Sequence, residues 1–245
     1  MDSSATSNKG KFAVIIPVFN HGQAVAAVVE KALGLNLPVF VVDDGSTDSI
    51  QDNLASLSGI HLLRHDENRG KGAALLTGFA EASKIADWAI TIDGDGQHHP
   101  EDALNLINAI PAGQRPIMVG MRTGMAAKNV PWTSQFGRKF SNFWVYVSGG
   151  PRMRDSQSGF RIYPLPEAMS LGVVARRYQF EVEILVRAGW NGIPVVEAPV
   201  RVNYAAAGER ISHFRPFVDF MRNSSTFTRL ILRRVFSWLY PKKME

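Results

Sequence analysis

An α/β fold built on a mostly parallel sheet is what this sequence predicts, and three observations carry the prediction. Short apolar, β-branched runs alternate with helix-period segments through the first 120 residues. The runs end in turns rich in Pro, Gly, Asp or Asn. The 245-residue chain is 45% hydrophobic, enough for one large core.

The elements follow in order. Residues 12–16 form the first apolar run, ended by Pro17, and a helical period covers 22–35. Residues 38–42 form the second run, ended by Asp43-Asp44-Gly45-Ser46, with a helix over 47–57 whose cap is Ser46 or Thr47. Residues 60–63 and 88–92 are the third and fourth runs, each followed by a helix, over 72–84 and 101–110. Residues 116–119 make a fifth strand. Alternation of this kind gives βαβ units with right-handed crossovers. From 121 to 160 the pattern is less regular. A helix over 180–188, a strand over 193–196 and a helix over 217–239 complete the chain. The expected division is a disordered stretch at 1–10, one domain over 11–204, and an acceptor loop with a basic amphipathic helix over 205–245.

Composition removes several functions. There is no cysteine, hence no disulfide, thiolate metal site or cysteine nucleophile. The first eleven residues carry no apolar signal core, and no run of about 20 apolar residues spans a bilayer. The net charge of +5 resides after residue 204, where eight Lys/Arg meet three Asp/Glu. No groove-reading or base-stacking module accompanies it, so nucleic acid is not an expected partner.

Ligands of open α/β sheets bind at the carboxyl ends of the strands. Pro17-Val18-Phe19-Asn20, Asp43-Asp44-Gly45-Ser46 and Asp93-Gly94-Asp95 all follow strands and open into one crevice. Asp93 and Asp95, one residue apart on a glycine-rich loop, suit a hard divalent cation, Mg²⁺ or Mn²⁺, and Gln97 can complete its shell or orient a carboxylate. His98 and His99 do not make a zinc site, because neighbours on an extended segment diverge. Asp43 and Asp44 can accept from a ribose hydroxyl or a base N–H. Asn68-Arg69-Gly70-Lys71-Gly72 opens a helix and offers backbone amides and an ammonium to a phosphate, the alternative being an ordinary αL turn and cap. Asp155-Ser156-Gln157-Ser158-Gly159-Phe160-Arg161 is a second polar loop that packs on the core. Glu181 and Glu183 project about 200° apart on their helix, so one faces a cleft, as a general base toward a hydroxyl, and the other solvent.

Taken in order, Phe12 to Asn20, Val41 to Asp48, Asn68-Arg69-Gly70-Lys71-Gly72 and Asp93-Gly94-Asp95-Gly96-Gln97 resemble the family 2 glycosyltransferases of GT-A fold. The resemblance is to their dolichol-phosphate mannose synthase and polyprenyl-phosphate glycosyltransferase branch, over roughly residues 11–204. It implies a nucleotide-sugar donor, GDP-mannose or a UDP-hexose, and inversion at the anomeric carbon. Pro17, Val18, Phe19, Asn20, Asp43 and Asp44 would line the nucleoside pocket, with Gly70, Lys71 and Gly94 along the donor. Asp93, Asp95 and Gln97 would hold the metal, and Arg122 the diphosphate. Ser158-Gly159-Phe160-Arg161 matches the branch's second signature. Ser158, Arg161 and Arg210 are expected at acceptor or phosphate, and Asp95, Arg122, Glu181 and Glu183 as catalytic groups.

The acceptor it implies is lipid-linked, such as a polyprenyl phosphate, and the expected location is peripheral, on the inner face of the cytoplasmic membrane. Residues 214–243 carry a helical stripe with Arg222, Arg229 and Arg233 beside it and Trp238, Tyr240, Lys242 and Lys243 at its end, the pattern of an interfacial helix. The alternative is docking on the body or on a second subunit. Competing functions are transfer to a hydroxyl acceptor, a non-catalytic nucleotide-sugar scaffold, and a nucleotidyltransferase. The last is disfavoured because Pro17-Val18-Phe19-Asn20-His21-Gly22 has no Lys or Arg.

Overall fold

Burial on both faces accounts for the unbroken apolar runs. The computed structural model describes residues 10–123, 132–203 and 216–239. Strand β1 (Phe12–Val18) is buried along its length and lies between β2 (Val39–Asp43) and β4 (Trp88–Thr91), both parallel to it. At one edge β3 (Ile60–Arg64) pairs parallel with β2 and is partly exposed. On the other side come β5 (Ile117–Arg122), β6 (Arg161–Pro164) and β7 (Val195–Val200), giving the order β3-β2-β1-β4-β6-β5-β7. Only β6 runs antiparallel, to β4 and to β5, while β5 and β7 are parallel.

Strand alternation sorts the side chains into two layers. Ala13 and Ile15 face one cluster, together with Leu75 and Phe79 of α3 (Lys71–Ala82) and Phe180 and Leu185 of α7 (Phe180–Trp190). Val14 and Ile16 face the other, with Val25 and Val29 of α1 (Gly22–Leu33), Ile50 of α2 (Ile50–Leu54) and Leu106 of α4 (Ala103–Asn108). Helix α5 (Trp132–Val147) occupies the stretch that reads as irregular, and strand β6 and helix α6 (Leu165–Ser170) follow directly after it. The α5 pattern is blurred because two of its faces are apolar. Phe140, Trp144 and Val145 pack inward, and Phe136, Phe143 and Tyr146 are exposed.

One local expectation is corrected. Neither Ser46 nor Thr47 caps a helix, since α2 begins at Ile50. Instead Asn20 N donates to Ser46 Oγ, and Thr47 N to Asn20 Oδ1, tying the turn after β1 to the turn after β2. Asn20 adopts φ +53°, a conformation Asn tolerates better than most residues.

The C-terminal helix α8 (Pro216–Leu239) docks on α5 and α7. Phe227 and Leu230 are buried in the first cluster, and the Phe140 and Phe220 rings lie 4.7 Å apart. Glu183 is the hub of this contact. It is fully buried, not solvated, and accepts from Arg187 Nε (2.7 Å), Arg229 Nη2 (2.6 Å), Ala175 N (3.0 Å) and Val174 N (3.3 Å). Burial alone would raise its pKa. Arg187, Arg229 and the two amides outweigh burial and hold it below the ordinary 4.5. A carboxyl so depressed stabilises the fold above its unfolded pKa, and that stability is lost as pH falls through the folded value. Below pH 4.5 the melting temperature should therefore fall steeply. Glu183→Gln should flatten that limb while costing about 3–5 kcal/mol at neutral pH, because it breaks a buried pair. Thermal unfolding from pH 3 to pH 7 checks both.

Candidate active site

The turn after β2 is built around two carboxylates with different tasks. Asp44 is buried, and both its oxygens serve the chain. Oδ1 accepts from Arg69 N (3.0 Å) and meets His65 Nδ1 (2.7 Å), and Oδ2 accepts from Gly70 N (2.7 Å). Asp44 is thereby a staple that holds the loop before α3, not a group left over for a nucleoside. That loop needs its glycine. Gly70 sits at φ +97°, ψ 152°, which is not the αL turn named as the alternative for this loop but a region open only to glycine. Asp43 differs. Its Oδ1 accepts from Ser46 N (2.8 Å), while Oδ2 is buried without a hydrogen-bond partner, 3.6 Å from Arg64 Nε. An orphaned buried acceptor at the end of a central strand fits a ligand N–H or hydroxyl.

Of the remaining positions at the end of β1, Pro17 and Val18 are buried and Phe19 half-buried. Val18 is a wall beneath the next loop, since its Cγ2 would lie 3.3 Å from a Cβ added at Gly94.

On that loop Asp95 and Gln97 act as a pair. Gln97 N donates to Asp95 Oδ1 (3.0 Å), and Gln97 Nε2 to Asp95 Oδ2 (2.7 Å). Asp93 is turned to another partner. Lys71, the first residue of α3, places its ammonium 2.5 Å from Asp93 Oδ1 and 2.5 Å from Glu181 Oε1. Burial alone would lower the Lys71 pKa; the two carboxylates reverse this and raise it above its ordinary value. Burial alone would raise Asp93, yet Lys71, with a smaller contribution from Arg122, holds it below its ordinary value. One ammonium thus joins the Asp93 loop to the start of α7. Beside it His98 is buried, with Nδ1 unpartnered and its ring edge-on to Phe160. Burial pushes its pKa down to about 4, so the imidazole is neutral at pH 7.

Gly159 is the floor of this cluster. A Cβ there would collide with Asp93 Oδ2 and Lys71 Nζ. Gly159→Ala should displace the Asp93–Lys71 pair and cut activity by roughly 10²-fold, the scale of a 1 Å misplacement. Its stability loss should stay within about 1–3 kcal/mol, the usual cost of overpacking. Kinetics beside a melting curve check both.

Arg122, at the end of β5, is held by Asp155 through a bidentate pair, Nε to Oδ2 and Nη2 to Oδ1, both 2.8 Å. Arg161 has no such freedom. It is fully buried and donates to the carbonyls of Ser158 (2.7 Å), Ser156 (2.8 Å) and Glu181 (2.8 Å). This corrects the expectation of a phosphate ligand, because its guanidinium knits the 156–161 loop to the start of α7. Ser158 is fully buried as well, with its hydroxyl unpartnered. Glu183, expected among the catalytic groups, is the α8 hub described above. Glu181 is the member of that pair that reaches the site. Arg210 lies outside the described residues.

Asp155, His65 and the Lys71 bridge were the residues that sequence reasoning did not place. The first had a signal, an acid heading the polar loop 155–161. The other two depend on contacts between residues 21 and 110 positions apart.

Known proteins share this architecture. Residues 13–165, more than half of the chain, match the profile described as Glycosyl transferase family 2. The chain belongs to that family. Among relatives of this transferase is the UDP-N-acetylglucosamine–dolichyl-phosphate N-acetylglucosaminyltransferase of Methanococcus voltae. It is 30% identical over 213 residues, covering 78% of this chain and 85% of the relative. The polyprenol monophosphomannose synthase of Mycolicibacterium smegmatis is 30% identical over 207 residues, 76% and 75% of the two chains. The glucosyl-3-phosphoglycerate synthase of Mycobacterium tuberculosis, solved with Mn²⁺, UDP and phosphoglyceric acid, superposes with a TM-score of 0.70. It is 18% identical, over 94% of this transferase and 80% of that chain. The fold is GT-A.

Among the described residues no three His, Asp or Glu side chains converge as a metal cage. The transferase does present an oxygen pair, the Asp95 carboxylate and the Gln97 amide. This suits a hard cation that completes its shell with substrate oxygens.

Proposed function

We propose that this transferase moves a sugar from a nucleoside-diphosphate sugar, GDP-mannose or a UDP-hexose, to a lipid-linked phosphate, with inversion. A phosphate oxygen of the acceptor attacks the anomeric carbon. The bond from that carbon to the β-phosphate oxygen breaks, and the nucleoside diphosphate departs with the electron pair. Asp43 Oδ2 would receive the nucleoside and Arg122 the diphosphate. Asp95 and Gln97 would hold Mg²⁺ or Mn²⁺, which when bound supplies Lewis-acid stabilisation of the leaving charge. Asp93, fixed by Lys71, would face the donor sugar.

The observation that carries the choice of acceptor is the Lys71 bridge. A general base needs a free lone pair within reach of the proton it takes. Glu181, the one acid of α7 that reaches the site, has an oxygen 2.5 Å from an ammonium. That arrangement commits one oxygen of Glu181 to an electrostatic bridge that fixes Lys71 and Asp93. A phosphate acceptor is already an anion and needs no base. The relatives that act on dolichyl phosphate and polyprenol phosphate support the same choice.

A peripheral membrane contact on the cytoplasmic face fits such an acceptor. No helix among the described residues is long and apolar enough to cross a membrane. With Phe227 and Leu230 turned inward, α8 still exposes Met221, Leu232, Val235 and Phe236, flanked by Arg222, Arg229 and Arg233. On the adjacent α5, Phe136, Phe143 and Tyr146 are also exposed. An apolar surface rimmed by arginines suits an anionic bilayer.

The test presents GDP-mannose, UDP-glucose and UDP-N-acetylglucosamine with Mn²⁺ to a short-chain polyprenyl phosphate and to the corresponding alcohol. Transfer should occur to the phosphate alone, and Glu181→Gln should retain activity within about tenfold, below the 10²–10⁴ of a lost general base. Transfer to the alcohol, abolished by Glu181→Gln, would establish the hydroxyl-acceptor alternative instead.

A further inference from the structure

Asp155 takes no part in the reaction as proposed, yet the fold buries its carboxylate completely. A buried carboxylate is retained only with strong partners. Its partner is the whole near edge of Arg122. Besides the two guanidinium bonds, Arg122 N donates to Oδ2 (3.2 Å). The pair is graded in exposure: the Asp155 side chain is 0% accessible, that of Arg122 17%. A fork–fork pair fixes the plane and direction of a guanidinium, which a single hydrogen bond does not.

Asp155 is itself held. Glu197 on β7 accepts from Asp155 N through Oε1 (2.8 Å) and from Arg154 N through both oxygens (2.9 Å each). Glu197 stands opposite Val119 in the β5–β7 register, three residues before Arg122 on the same strand. A chain of contacts therefore runs from the sheet, through Glu197 and the 154–155 backbone, to Asp155 and the Arg122 guanidinium.

We propose that Asp155 is a positioning residue that acts through Arg122, aiming its guanidinium at the leaving diphosphate, with Glu197 fixing Asp155 in turn. The proposal rests on the reading of Arg122 as the donor-diphosphate group. It assigns the acid of the 155–161 loop to the donor side of the reaction, where sequence reading looked to that loop for acceptor contacts. Its physical content is preorganisation. A guanidinium already aimed needs no reorganisation as charge develops, so the effect belongs in kcat.

The test is a double-mutant cycle on the full-length enzyme with a turned-over nucleotide sugar, reading kcat, donor KM and melting temperature. Arg122→Ala should lower kcat by about 10²–10³, the scale of losing one transition-state donor. Asp155→Asn, which keeps the shape and loses the paired charge, should lower kcat by about 10–10² with donor KM changed less than about threefold. The double variant should be no slower than Arg122→Ala alone, because a residue that acts only through Arg122 has nothing further to lose. Additive losses, or full kcat in Asp155→Asn, would overturn the positioning role. Full kcat in Arg122→Ala would instead overturn the reading of Arg122 at the diphosphate. Should Asp155→Asn fail to fold, Glu197→Gln replaces it in the cycle. Its smaller kcat loss should vanish in the Arg122→Ala background, and persistence there would count against the proposal.

Discussion

Asp95→Asn should remove donor turnover while leaving the fold intact. Asp95 is half-buried, and its carboxylate accepts two hydrogen bonds from Gln97, two residues away. The substitution keeps the volume and removes the charge a hard cation needs. Without a cation held there, the departing diphosphate would lose counter-charge, and turnover should fall on the order of 10³-fold or more. Stability should change by less than about 1 kcal/mol, as for a surface loop position. Asp93→Asn should behave differently, since it also breaks the Lys71 bridge and so lowers the melting temperature together with activity. Turnover and melting curves on the two variants separate a metal ligand from a bridge member. Full turnover by Asp95→Asn would place the metal site elsewhere.

The contrast between these two aspartates marks how far the sequence could be read. The carboxyl ends of β1, β2 and β4 were legible, because doubly buried strands give unbroken apolar runs and the loops after them carry Asp, Asn and Gly. The crevice therefore followed from local pattern. The division of labour within it did not. Asp43 and Asp44 are adjacent and identical in type, yet one keeps an oxygen without a hydrogen-bond partner and the other is consumed by Gly70, Arg69 and His65. Glu181 and Glu183 differ in the same way, one meeting Lys71 and the other Arg187 and Arg229. Such pairings join distant segments and leave no periodic trace. Arg161 misled for a related reason. The resemblance implied an acceptor or phosphate role for it, and only the tertiary fold shows carbonyls closing around it.

Ending the chain before Phe227 should unfold the enzyme, and this is the second large expected effect. The helical stripe of α8 suggested an interfacial membrane helix, with docking on the body or on a second subunit as the alternative. Its inner face instead completes the core, with Phe227 and Leu230 at 2% and 1% exposure and Arg229 on Glu183. Losing a buried Phe and a buried Leu costs about 3–5 and 2–5 kcal/mol. That sum rivals the whole stability of a domain, about 5–15 kcal/mol. Truncated protein should be insoluble or lack a cooperative melt, and loss of vesicle binding by it would say nothing about membranes. Substitution of the outer face separates the two roles. Leu232→Ser with Phe236→Ser should leave the melt nearly unchanged, since both side chains are exposed. The same pair should lower binding to anionic vesicles about tenfold or more, from the apolar area withdrawn from the bilayer. Unchanged vesicle binding would remove α8 as the membrane contact. A truncated chain with a normal melt would contradict its place in the core.

The central claim is that the crevice at the ends of β1, β2 and β4 binds a nucleoside diphosphate through a divalent cation held by Asp95 and Gln97. Calorimetric titration of UDP and of GDP, each with Mn²⁺ and each with EDTA, tests it most directly. One nucleotide should bind with Mn²⁺, lose that binding in EDTA, and fail to bind Asp95→Asn under either condition. Binding of neither nucleotide, or binding equally strong in EDTA, would contradict the claim.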